Sequence, residues 1–167
     1  MRIDVLSLFP EYFKGPLDES MLKRAQVGGL IDISLVDIRA YSKEKHKRVD
    51  DRPYGGGPGM VMMAEPVVAC VRDRKTANSK VIYLSPQGKA LTHIKCRELA
   101  SSEHLILLAG HYEGIDERAI ASVVDEEISI GDFVLTNGCL AACVVIDAVA
   151  RFIPGVVGDV RGPVEDS

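Results

Sequence analysis

Short apolar runs alternate along this chain with longer amphipathic stretches, a pattern that predicts strands separated by helices. Arg2 to Phe9 reads as a strand closed by Pro10, and Asp18 to Val27 as the first helix. Ile31 to Ile38 alternates apolar and polar residues and reads as a second strand. Glu65 to Ala77 is predicted helical, Lys80 to Leu84 a strand, Leu91 to Ser101 a helix, and His104 to Ala109 a wholly apolar strand. Asp116 to Val124 follows as a helix, Ile128 to Ile130 as a brief strand, and Gly138 to Phe152 as a helix stopped by Pro154. Strands in alternation with helices imply an α/β protein with a parallel sheet covered on both faces. No internal repeat or low-complexity tract interrupts the pattern.

Two segments depart from this rhythm. Tyr41 to Gly59 is polar and basic, then glycine-rich, and reads as a long loop; a long loop in a compact domain usually has a function. Cys139 to Phe152 is apolar on nearly every side, with only Asp147 and Arg151 charged. A helix without a polar face is expected to be central or to lie between subunits, which predicts a homodimer through residues such as Val144 and Val145.

Three turns bear candidate chemistry. Ser85 to Lys89, Gly110 to Arg118 and Ser129 to Gly138 each follow a strand-like run, and the last two each precede a helix-like one. Ligand sites of α/β proteins form where strands end. Glycine there lets backbone N–H and C=O groups approach a ligand without a Cβ in the way, close enough to read the polar edge of an adenine.

Composition narrows the picture. At 167 residues, 47% hydrophobic and 26% charged, the chain suits one globular domain. No signal-like start and no apolar run of membrane-spanning length is seen, so the default compartment is the cytoplasm and no membrane partner is expected. Cys70, Cys96, Cys139 and Cys143 form no C-x-x-C pair and read as reduced, buried hydrophobes. The net charge of −4 argues mildly against a nucleic-acid partner, yet the charge is uneven. Arg39 to Arg52 holds six Lys or Arg against three acids, while Glu113 to Asp132 holds seven acids against one Arg. The first stretch suits a phosphate backbone and the second a cationic sulfonium; a solvated face is the alternative for each. The cluster Tyr54 to Gly59 lacks the G-x-x-x-x-G-K-[ST] spacing, and Gly88-Lys89 is followed by Ala90, so a nucleoside-triphosphate hydrolase or kinase is disfavoured.

The motifs Leu8-Phe9-Pro10, Val49 to Met60, Tyr83 to Gly88, Tyr112 to Arg118, Ser129 to Leu135, Ile146-Asp147-Ala148, Arg151 to Val156 and Glu165-Asp166-Ser167 run from one end of the chain to the other. In them the chain resembles the bacterial tRNA (guanine-N1)-methyltransferases of the SPOUT class. Two departures stand out: Asn137 to Ala142 replaces the family's usual Gly-Gly-Glu-Leu-Pro-Ala, and His111 stands where Arg is common.

The resemblance implies an α/β, parallel-sheet SPOUT methyltransferase domain with a C-terminal trefoil knot, a homodimer, and a tRNA substrate methylated at N1 of the guanine at position 37. It implies S-adenosyl-L-methionine as cofactor, with S-adenosyl-L-homocysteine as product, and magnesium use that no residue here locates. It places cofactor contacts at Tyr83, Leu84, Gln87, Gly110, Tyr112, Glu113, Ser129, Ile130, Gly131, Phe133, Leu135 and Gly138. For Leu84, Ile130 and Leu135, core packing is an equally natural role. It places the general base at Asp166 and the cation facing O6 at Arg151, although an i,i+4 ion pair with Asp147 would also account for Arg151. Residues 1–160 are then expected to be the catalytic domain, and 161–167 the start of a linker to a C-terminal domain that grips tRNA. A weakly catalytic, cofactor-binding dimer is the alternative expectation.

Overall fold

A computed structural model describes residues 1–158. Asp166 and the expected linker 161–167 lie outside the described residues. The main sheet has five parallel strands in the order β2-β1-β6-β5-β7. These are β1 (Arg2–Ser7), β2 (Asp32–Asp37), β5 (Ser79–Ala90), β6 (His104–Ala109) and β7 (Glu126–Ser129). The helices are α1 (Ser20–Val27), α2 (Ala64–Arg74), α3 (His93–Ala100), α4 (Glu117–Val123) and α5 (Cys139–Ala150).

Side-chain alternation along the inner strands builds two cores. Leu105, Leu107 and Ala109 of β6 face one cluster with Ile82, Leu84, Leu22, Leu99 and Val145, whereas Ile106 and Leu108 face a second with Val81, Tyr83, Val67, Val71 and Ala119. All six residues of β6 are buried, as a strand covered on both faces requires. This is the predicted α/β parallel sheet, with most element ends within a few residues of expectation.

Three expectations need correction. The segment after Tyr41 is not all loop: it contains one short 3₁₀ turn (Lys45–Lys47) and leads through a two-stranded antiparallel ribbon of β3 (Asp50–Asp51) and β4 (Val61–Met62). The third turn, Ser85 to Lys89, is incorporated into β5. Leu84 and Lys89 both pair with Ile128, so the residues between them bulge out of the ladder. Gly88 allows this, because a Cβ there would lie 2.5 Å from the Ile128 amide nitrogen.

Helix α5 does have two faces. Cys139, Ala142, Val145, Ile146 and Val149 are buried against the protein's own core, while Leu140 and Val144, each 45% exposed, point away from it. Val145 belongs to the monomer's interior and Val144 to its surface. Periodicity could not separate the faces because both are apolar.

Candidate functional site

Strand ends and two crossing loops position the site. Helix α4 carries the chain from β6 past β5 to the edge strand β7, and the segment 130–138 returns it to the end of β6. There the Gly138 amide donates to the Gly110 carbonyl at 2.8 Å. The ends of β5, β6 and β7 thus enclose a cavity of about 510 Å³.

Each loop holds its own shape. The Gly131 amide donates to Ser129 Oγ (3.2 Å), and that hydroxyl donates back to the Gly131 carbonyl (2.9 Å), fixing a tight turn after β7. The Phe133 ring lies over this turn, 2.2 Å from where a Cβ on Gly131 would stand. In the β5 bulge Ser85 Oγ accepts from the Gln87 amide at 3.2 Å. Asn137 Oδ1 accepts from the Cys139 amide at 2.8 Å and so satisfies one of the free N–H groups at the start of α5. One of the two sequence departures therefore has a structural role. Cys139 in turn packs its thiol 3.3 Å from Ser7 Oγ, and burial pushes that thiol up.

The first loop is stitched to the glycine-rich ribbon. The Glu113 amide donates to the Met60 carbonyl, the Met62 amide to Gly114, and the Asp116 amide to Met62, each at 2.9 Å. A Cβ on Gly59 would fall 2.5 Å from Glu113 Cγ, so the Glu113 side chain lies directly over that glycine. Tyr112 takes a left-handed backbone (φ 58°), which costs a non-glycine residue about 1 kcal/mol or more and marks a loop held under constraint. Behind it Tyr83 is buried; burial, reinforced by Glu127, pushes its phenol up to about 12 and keeps it neutral.

All twelve residues expected at the cofactor loops line this one cavity. They share it with Pro86, Ile115, Glu117, Glu127, Val134, Thr136 and Ala141, which sequence reasoning did not single out. Glu117 and Glu127 were marked only collectively, within the acidic stretch Glu113 to Asp132, and Ala141 only within the segment that departs from the family's usual sequence. Arg151 is not in the lining. It follows the last residue of α5, roughly 20 Å along the helix axis from Gly138 at about 1.5 Å per residue. Among the described residues no group of three or more His, Cys, Asp or Glu is arranged to hold a metal, and no helix is long and apolar enough to cross a membrane.

The tRNA (guanine-1)-methyltransferase TrmD family matches residues 1–167. The chain belongs to that family. A tRNA (guanine-N(1)-)-methyltransferase of Protochlamydia amoebophila is 64% identical over 167 residues, covering 100% of this chain and 75% of its own length. Proteins of the same name from Chlamydia pneumoniae and Chlamydia trachomatis serovar D are 61% and 58% identical over the whole chain. The chain spans 46% and 47% of those two relatives' lengths. For this TrmD-family chain, three of the motifs that carried the resemblance, Tyr83 to Gly88, Tyr112 to Arg118 and Ser129 to Leu135, lie in the loops that build the cavity.

Proposed function

We propose that the chain is an S-adenosyl-L-methionine-dependent tRNA methyltransferase acting on N1 of the guanine at position 37. The observation that carries this is the convergence of all twelve expected loop residues on one cavity in a chain of the TrmD family. The cavity fits the cofactor in chemistry and size. Its volume lies within the roughly 300–1,000 Å³ of small-molecule sites, and its walls pair backbone amides and carbonyls with the apolar Leu84, Ile130 and Leu135. Glu113, Glu117 and Glu127 add negative charge suited to a sulfonium. When bound, S-adenosyl-L-methionine supplies an electrophilic methyl group and leaves as S-adenosyl-L-homocysteine.

The chain's own contribution is placement and charge. The glycine turns present backbone groups to an adenine, and Glu113 spans from the cavity to the ribbon. Asp166 is the proposed base for the guanine N1 proton, and Arg151 the proposed cation at O6, where negative charge develops as N1 attacks. Since Arg151 stands at the far end of α5 from the cavity of its own chain, a second copy would have to bring it there. The proposed homodimer forms through the outer face of α5, where Leu140 and Val144 are each 45% exposed and Val144 lies beside Pro16 and Cys143. The C-terminal trefoil knot belongs to the same reading.

Two measurements test it. Calorimetry should give binding of S-adenosyl-L-homocysteine and none of ATP. Transfer of labelled methyl groups should occur onto a tRNA transcript with guanosine at position 37 and not onto one with adenosine there; equal labelling of both would refute the assignment.

A further inference from the structure

His111 is singled out by an unmet need. Its Nδ1 is buried from solvent and has no hydrogen-bond partner among the described residues. Buried polar atoms without partners are rare in folded proteins, and each calls for a cause. The other such side-chain atom among the described residues, His104 Nε2, stands 3.3 Å from the Asp4 carboxylate and so sits in a compensating field. Among the described residues His111 has no ion-pair neighbour, yet it lines the cavity immediately after Gly110.

The ring is also held in place. Phe9, just beyond β1, meets it edge-on with centroids 4.9 Å apart, and Tyr112 lies against it at 4.4 Å with a 55° tilt. Tyr112 adopts its left-handed backbone to do so and remains 37% exposed. Constraint of this kind is retained where a loop must present a group in one orientation.

Position and charge indicate what that group meets. Strand β1 borders β6 on the side away from β5 and β7, so the Phe9–His111 contact lies on the opposite flank from Gln87 and Ser129 to Leu135. The loop that bears His111 also carries Glu113, which covers Gly59, and is tied to the ribbon. Glu113 and Glu117 line the same loop, which disfavours a phosphate and suits the uncharged polar edge of a heterocycle. A directional nitrogen beside the Phe9 ring forms a seat for the edge of a flat base once the partly exposed Tyr112 ring swings aside.

We propose that His111 positions the methyl-accepting nucleobase, which takes the place of the Tyr112 ring and hydrogen-bonds His111 Nδ1. This rests on the methyltransferase reading above. His111 is a positioning residue: it fixes the base so that N1 faces the methyl group, and takes no proton in the transfer.

The test uses the 167-residue chain, S-adenosyl-L-homocysteine calorimetry and single-turnover methyl transfer onto a tRNA transcript. His111→Phe keeps a ring and removes the nitrogen, while His111→Gln keeps a polar atom. His111→Phe should leave cofactor affinity within about twofold and raise the tRNA concentration for half-maximal rate about tenfold, the usual effect of one lost hydrogen bond. His111→Gln should recover most of that loss. Transcripts carrying inosine or 7-deazaguanosine at the target should be discriminated against, at least one of them, by the wild type and not by His111→Phe. An undiminished His111→Phe, a loss falling on cofactor affinity, or a His111→Gln as poor as His111→Phe would each overturn the proposal. A wild-type chain that binds cofactor but transfers no methyl group would overturn the methyltransferase reading instead.

Discussion

Gly138 lies against the end of β6 so closely that a Cβ on it would fall 2.9 Å from the Ala109 Cα and from the Gly110 nitrogen, while its own amide donates to Gly110 at 2.8 Å. Two loops of the cavity are thus joined backbone to backbone, with no side chain able to stand between them. A flexible side chain could yield to an added methyl group, but main chain cannot.

Gly138→Ala and Gly88→Ala should therefore each destabilise the protein, by about 1–3 kcal/mol, the usual range for overpacking against fixed neighbours. Urea unfolding measures this. Gly56→Ala is a useful contrast, since nothing lies within 4 Å of its Cβ position and only its φ of 85° opposes the change. A Gly138→Ala protein as stable as wild type would show that the loop junction is looser than described.

Gly131 should behave differently. The atom nearest its missing Cβ is Phe133 Cε1 at 2.2 Å, on a ring that is 53% exposed and can swing out. Gly131→Ala should keep near-native stability but weaken S-adenosyl-L-homocysteine binding, because both the methyl group and the displaced ring encroach on the cavity. Adding Phe133→Ala should restore part of the affinity if the ring is the obstacle, and calorimetry on the four proteins of this cycle decides it.

The two valines of α5 should part company. Val145→Glu places a charge in a core position that is fully buried and should unfold the chain, at a cost of several kcal/mol. Val144→Glu should leave circular dichroism native and shift sedimentation from dimer to monomer. A Val144→Glu chain that still sediments as a dimer would remove the outer face of α5 from the interface.

Stability should also depend on pH through His104. Burial holds this imidazole below its ordinary value of 6.5, against the opposing pull of Asp4. The unfolded chain then takes up a proton near pH 6.5 while the folded chain does not, so ν_U exceeds ν_N and stability rises with pH through that window. The contribution is complete above the unfolded value and declines as pH falls through 6.5 toward the folded one. Urea midpoints between pH 5 and 7.5 should show this slope, and His104→Gln should flatten it. Asp4 acts in a lower range. Burial alone would raise its carboxyl, but hydrogen bonds from Arg74 and Arg2 outweigh this and lower it, so its contribution is lost only below the ordinary carboxylate range.

Much of this was legible in the sequence because strand and helix periods differ. The run His104 to Ala109 announced a central strand without ambiguity, and glycines at 110, 131 and 138 marked turns that the fold brings together. The β5 bulge was read as an ordinary loop because re-pairing of Lys89 with Ile128 depends on β7, some forty residues further on. The ribbon of β3 and β4 was missed since each strand is two residues long and is held by bonds to the Gly114 region, not by its own pattern. For α5 the sequence showed apolar residues all round, but which side meets the core is a tertiary fact. His111 offered only its place after a glycine; its unmatched nitrogen is visible only in three dimensions.

The pairing of β1 with β6 has a consequence for how the chain is made. Arg2 pairs with His104, a separation of 102 positions, so β1 leaves the ribosome well before its central neighbour and must wait for it. At roughly 5–20 residues per second, that wait is about 5–20 s. Until then β1 is paired on one side only, with β2, and its other edge, bearing Ile3, Val5 and Leu6, is an unpaired apolar strand edge of the nascent chain. The seam through the middle of the finished sheet is therefore among the last parts to close, and the interval before it closes is when this protein is most open to chaperones and to aggregation.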